Sequence, residues 1–212
     1  MARDLLIPIA FVLSCTAPAF ADTEVALALN STCAADTSIF DIARRETTRI
    51  WSSAGVRVRW MRAADLPYRS SSPWLVVQCV ASHKGLTAGI QVPIAAIRFI
   101  DARPTNTIVV SVPNARTLLA RDVLESRLLI ERFRALRERR LGRVIGRAIA
   151  HEVGHFLASS GAHTPRGLMR AAHPVADLIG DSLNPFSIDP QMFARQVARA
   201  DEPVEADGRR NR

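Results

Sequence analysis

The residues best suited to chemistry stand together in the run His151-Glu152-Val153-Gly154-His155. Two histidines four positions apart project from one face of a helix. Imidazoles held that way suit a tetrahedral zinc ion, which in a catalytic site takes a third protein ligand and keeps one position open. Zinc lowers the pKa of water toward about 7, and a neighbouring carboxylate accepts the proton as the water attacks a carbonyl. Glu152 is the residue placed for that work, and once protonated it can serve a leaving amine as general acid. The surrounding stretch is apolar and helical in pattern, so two histidines and a glutamate there are costly to bury without a purpose. Gly154 costs a helix about 1 kcal/mol and is read as a close-packing position.

The third ligand is expected from the segment that follows. Ser159, Ser160 and Gly161 supply a helix stop, with Gly161 able to take the left-handed backbone that ends helices. His163 is then two residues on, within about 7 Å along the chain. His173 and Asp177 are the alternative ligands, since a carboxylate or imidazole farther along also completes such sites. His83, in an upstream loop, is read as a surface residue. Met169 closes the triplet Gly167-Leu168-Met169.

This stretch resembles the metzincin clan of zinc-dependent endopeptidases, within the broader zincins. Those proteins carry His-Glu-x-x-His-x-x-Gly-x-x-His and then a turn whose methionine underlies the metal. His151, Glu152 and His155 match that pattern directly, and Met169 resembles the turn methionine. Ala158 stands where the family glycine ends the helix, and Gly161 where the third histidine falls. No tyrosine follows Met169; Arg170 is there, with no role assigned. The resemblance loosely covers residues 24 to 170. It implies zinc held by His151, His155 and His163, hydrolysis of peptide bonds with Glu152 as base and acid, and a protein or peptide as substrate.

Around these residues the pattern predicts an α+β fold, zincin-like: a twisted mixed β-sheet packed on the active-site helix and a backing helix. Strands are expected at Glu24 to Leu29, at Val56 to Trp60, where Val58 and Trp60 alternate with Arg57 and Arg59, at Trp74 to Val80, and at Thr107 to Val112. A short edge strand is expected at Gly89 to Ile94, with Pro93 arguing against a central place. An extended substrate could pair with such an edge at Gly89 to Val92. The backing helix is expected over Ile39 to Ala54, capped by Ser38 and ended by Gly55. Asp122 to Arg147 reads as an Arg-rich helix with a solvated charged face. Gly142 then starts or bends the next helix, Leu141 to Ala158, and a last amphipathic helix spans Asp189 to Ala200.

The chain has 212 residues, 48% hydrophobic and 23% charged, a globular balance that suits one domain over residues 22–200 with a charged tail at 201–212. Met1 to Ala21 reads as a signal peptide, with Ala19-Phe20-Ala21 before a cleavage at Asp22 and secretion or periplasmic export as the consequence. A lipoprotein signal acylated at Cys15 is the alternative. Nothing beyond it is apolar enough to span a bilayer. In an oxidising compartment Cys33 and Cys79 are expected to pair. The first strand follows Asp22 almost at once, so no pro-segment is expected. The net charge is +8, almost wholly from arginine, with Lys84 the single lysine. No binding motif accompanies that charge, so nucleic acid is not an expected partner. Two other readings stand beside the protease: a zinc-containing binding module without proteolysis, and an Arg-rich surface-binding protein. Retention of Glu152 argues against the first, since a closed structural site needs no base.

Overall fold

The computed structural model describes residues 23–66, 72–81, 93–122 and 134–188. The expected signal peptide, His83, the expected strand over Gly89–Val92, the expected helix over Asp189–Ala200 and the tail all fall outside the described residues. In chain order the elements are β1 (Glu24–Leu29), α1 (Thr37–Ser53), β2 (Arg57–Arg62), β3 (Trp74–Cys79), β4 (Ala95–Ile100), β5 (Arg103–Val110), α2 (Val112–Asp122), α3 (Arg134–Leu157) and α4 (Val175–Ile179). The five strands form one mixed sheet in the order β2-β1-β3-β5-β4. All neighbours are parallel except β4, which runs antiparallel to β5. The fold is therefore a mixed sheet with helices packed on it, as the pattern requires.

Strand β1 is apolar from Val25 to Leu29 because both its faces are covered. Val25, Ala26, Leu27 and Ala28 of β1 are all buried, and so are Leu75, Val77, Ile108 and Val110. In β2 the alternation is kept: Val58 is buried while Arg57 and Arg59 face solvent.

Three expectations change. First, α3 is continuous from Arg134 to Leu157, so Gly142 does not start it. A Cβ on Gly142 would lie 2.6 Å from Ile42 Cβ and 2.8 Å from the Ile39 carbonyl oxygen, so this glycine lets α1 and α3 approach closely. Second, α1 begins at Thr37, directly after a 3-10 turn over Ser31–Asp36, so Ser38 lies inside the helix and does not cap it. Its other end is as expected, with Gly55 at φ 83 just past the last turn. Third, among the described residues the sheet ends at β4, Ala95–Ile100, and Pro93 and Ile94 of the expected Gly89–Ile94 strand are outside any strand. Residues Asp101 and Ala102 turn β4 into β5, both with positive φ (49 and 61). Such a turn normally carries Asn-Gly, and its absence from Asp-Ala hides the hairpin from a sequence reading.

Two further boundaries follow from local chemistry. Val112 opens α2 and is not the end of a strand, because Ser111 Oγ accepts the Asn114 N–H at 3.3 Å and so caps a helix start. Cys33 and Cys79 form a disulfide between the 3-10 turn and the end of β3, across 46 residues of sequence. None of the described helices is long and apolar enough to cross a membrane.

α1 braces α3 along the length that precedes the histidines. Thr47 Oγ1 donates to the Gly146 carbonyl at 2.9 Å, and Trp51 Nε1 donates to the Ala150 carbonyl at 3.1 Å. Trp51, Phe40, Ile145 and Ile149 are almost wholly buried in the core that these two helices share with the sheet. The helix face that carries His151 is thus seated before the motif begins.

Candidate metal centre

His151, His155 and His163 each offer one nitrogen, and these three atoms lie within 4.8 Å of one another. The His151 and His163 rings stack with centroids 5.3 Å apart, while His155 meets His163 edge-on at 5.0 Å. His151 and His155 come together through helical spacing. His163 reaches them through the end of the helix.

That end departs from expectation in one residue. Ser159, at φ 45, takes the left-handed conformation, and Gly161 has no positive φ. The Ser159 N–H donates to the Phe156 carbonyl at 3.1 Å and the Ser160 N–H to the His155 carbonyl at 3.1 Å, the bond pair that closes a helix in a Schellman motif. The chain therefore turns two residues earlier than Gly161, which gives His163 room to come back. A Cβ on Gly161 would only touch the Phe99 ring, at 3.8 Å, so no close approach requires glycine there.

The remaining nitrogens of the two helical histidines are pinned. His151 Nδ1 bonds the Leu168 carbonyl at 2.8 Å, and His155 Nδ1 bonds the Ser160 carbonyl at 2.7 Å. A carbonyl only accepts, so each Nδ1 carries the proton and each Nε2 presents a lone pair. Burial, with the neighbouring His155, pushes the His151 pKa down to about 3, and burial lowers that of His155 as well. Both rings are therefore neutral near pH 7. Their Nε2 atoms nevertheless face each other at 3.0 Å. Two lone pairs so placed repel unless a cation lies between them. The donor set, the pinned tautomers and this convergence fit a zinc ion.

Glu152 follows His151 on α3. It is buried, and its Oε2 accepts the backbone N–H of Ile97, on β4, at 2.8 Å. Burial raises its pKa to about 7, against the lowering effect of the Ile97 N–H. That value suits a group that must take and return a proton near neutrality.

The floor of the site is Met169. Its sulfur occupies the space beneath Gly154, where a Cβ would come within 2.2 Å of Sδ. The expectation that Gly154 is there for close packing is thus met by a specific partner. Met169 is delivered by a tight loop. The Thr164 N–H donates to the Met169 carbonyl at 2.8 Å, and the Leu168 N–H donates to the Ser187 carbonyl at 3.0 Å. Gly167 has φ 76, and a Cβ there would stand 2.4 Å from the Ser187 carbonyl oxygen, so both its backbone angle and its contact demand glycine.

His173 and Asp177 are not in the imidazole group. His173 Nε2 bonds the Leu168 carbonyl at 3.3 Å and its ring stacks on Phe186. Asp177 lies on α4.

The sequence pattern puts Arg147 on a solvated charged face, and the structure corrects this. Arg147 is fully buried, with its Nε 2.7 Å from Glu46 Oε1. It also donates to the carbonyls of Asp177, Gly180 and Ser182, and its guanidinium lies 4.5 Å over the Phe186 ring. The signal was present in the spacing: Arg147 sits four before His151 and three after Val144, on the buried face of α3.

No protein-family model and no curated protein matches the sequence. Among solved structures the chain is similar to archaemetzincin from Methanopyrus kandleri, at 14% identity over 84% of this chain and 97% of that one, with a TM-score of 0.45. A likeness that distant carries no functional argument, and the chemistry rests on the side chains themselves.

Proposed function

We propose that the chain is an exported zinc-dependent endopeptidase in which His151, His155 and His163 hold the metal and Glu152 moves the proton. The observation that carries this reading is the convergence of three imidazoles, two of them fixed as Nδ1–H tautomers with lone pairs facing at 3.0 Å. A zinc ion bound there supplies Lewis acidity toward a carbonyl oxygen and acidifies water. Glu152 accepts the proton of the attacking water and returns it to the departing amine. Its bond to Ile97 fixes the carboxylate against β4, the last strand of the sheet among the described residues. An extended peptide pairing with the outer edge of that strand passes beside the base. Export is supported by the Cys33–Cys79 disulfide, a bond that persists in oxidising compartments.

The test is metal analysis of the purified protein together with hydrolysis of an unfolded-protein or peptide library. One zinc per chain is expected, with activity lost to a chelator and restored by zinc. His163→Ala should weaken zinc binding by more than the 10–100-fold typical of an outer-shell change, and Asp177→Ala should not. Tight zinc binding with no hydrolysis of any substrate would favour the binding-module reading instead.

A further inference from the structure

We infer that His173 is a positioning residue for this centre, acting on His151 through the Leu168 carbonyl. The inference rests on the zinc reading above for its consequence, though not for its geometry. Leu168 O receives two imidazole nitrogens, His151 Nδ1 at 2.8 Å and His173 Nε2 at 3.3 Å. A carbonyl oxygen has two lone pairs, so both bonds are made at once, and both rings must donate. With its Nε2 as donor, a neutral His173 has a bare lone pair at Nδ1. That atom is buried and has no hydrogen-bond partner among the described residues. An unsatisfied buried polar atom costs about 1–3 kcal/mol, which an apolar ring of similar size would avoid. Packing alone therefore does not account for a histidine here; the donated bond does.

The ring is held for that single bond. It stacks on Phe186 with centroids 4.7 Å apart, and Phe186 lies under the Arg147 guanidinium. Arg147 belongs to α3, one turn before His151. The helix that bears the histidines thus fixes, through Arg147 and Phe186, the ring that fixes the acceptor of its own His151. The neighbouring backbone is pinned independently, at the Leu168 N–H and at the Met169 carbonyl. What remains free without His173 is the tilt of the Leu168 carbonyl, and with it the direction in which His151 Nε2 points.

Three forms of the full-length protein test this: wild type, His173→Phe, which keeps the stack without the donor, and His173→Gln, whose amide can restore it. Zinc itself is the probe, by competition with a chelating dye. His173→Phe should bind zinc about tenfold more weakly, at the low end of outer-shell effects, and His173→Gln should recover most of the loss. In the metal-free proteins, NMR of the His151 ring should show its Nδ1–H exchanging faster in His173→Phe, with protection regained in His173→Gln. Should His173→Phe fail to fold, His173→Leu is read in its place. Unchanged zinc affinity and unchanged exchange in the apolar variant would overturn the assignment. If wild type binds no zinc, the metal reading fails. The exchange rates still decide His173, with equal rates in all three forms counting against it.

Discussion

Ile97 on the edge strand and Glu152 on the central helix are joined by one hydrogen bond, the Ile97 N–H to Glu152 Oε2 at 2.8 Å. The bond orients the carboxylate and satisfies one of its oxygens, while burial keeps its pKa high at about 7. Glu152→Gln keeps the shape and a carbonyl acceptor for Ile97 but cannot take a proton. It should bind zinc as wild type does and lose about 10²–10⁴ in kcat. Equal hydrolysis by the variant, at matched zinc content, would remove Glu152 from the mechanism.

The same pair makes a prediction about pH in the metal-free protein. Glu152 has a raised folded pKa, so between its ordinary value of 4.5 and about 7 the folded state binds more protons than the unfolded state. Its contribution therefore falls as pH rises through that window. His151 acts in the opposite sense: its folded pKa of about 3 lies below the ordinary 6.5, so its contribution grows as pH rises between them. Comparing wild type with Glu152→Gln removes the histidine effect, which both share. The stability difference, variant minus wild type, should increase from pH 4.5 to 7. A flat difference in urea unfolding across that range would show that Glu152 is not held in a desolvated place.

Gly154 and Met169 should be coupled. An added Cβ meets the buried sulfur at 2.2 Å, so Gly154→Ala overpacks the floor of the site. The expected cost is about 1–3 kcal/mol, partly offset by the roughly 1 kcal/mol that alanine gains over glycine in a helix. In a Met169→Ala background the clash is gone and only the helix gain remains. The sign of the Gly154→Ala effect should then reverse, from destabilising to stabilising. Additive effects in that double-mutant cycle would mean the two residues do not share the space.

How much of this was legible beforehand depends on the range of the interaction. The helical histidines follow from spacing alone, and so does the buried lie of α3 around Val144, Ile145 and Ile149. β1 and β3 were visible as apolar runs, and in β1 that run reflects burial on both faces of the strand. The β4–β5 hairpin was not, since Asp101 and Ala102 bear positive φ without the residues that normally announce it. The α2 start was signalled by Ser111, yet the β-branched run before it made the next valine look like more strand. Arg147 is the instructive case. Its charge suggested solvent, and only partners 30 or more residues away in sequence, Glu46 and the carbonyls of Asp177, Gly180 and Ser182, make its burial tolerable.

That burial leads to the sharpest stability prediction outside the metal centre. Arg147 neutralises Glu46 and satisfies three carbonyls at once, so removing it leaves a buried carboxylate whose remaining ion-pair partner among the described residues is the half-exposed Arg49. Arg147→Met should cost about 3–5 kcal/mol, the range for breaking a buried pair by deleting one partner. Replacing both members, as Glu46→Leu with Arg147→Met, removes the stranded charge and should be less damaging than Arg147→Met alone. A double variant as unstable as the sum of the singles would show the pair to be uncoupled.

The helix stop offers the converse case, a position where the native residue is not the best one. Ser159 closes α3 in the left-handed region at φ 45, where a Cβ is strained and glycine is not. It is exposed, so little packing is lost with its side chain. Ser159→Gly should therefore stabilise the protein by about 0.5–1 kcal/mol, after the greater chain entropy of glycine in the unfolded state is subtracted. Ser159→Val, with a branched side chain at the same angle, should destabilise it and loosen the return of the chain to His163. The two variants should also separate in zinc affinity, with the glycine form at or near wild type and the valine form weaker. Equal thermal stability of wild type and both variants would mean that the turn carries no strain, and that Ser159 does not set where the chain leaves the helix.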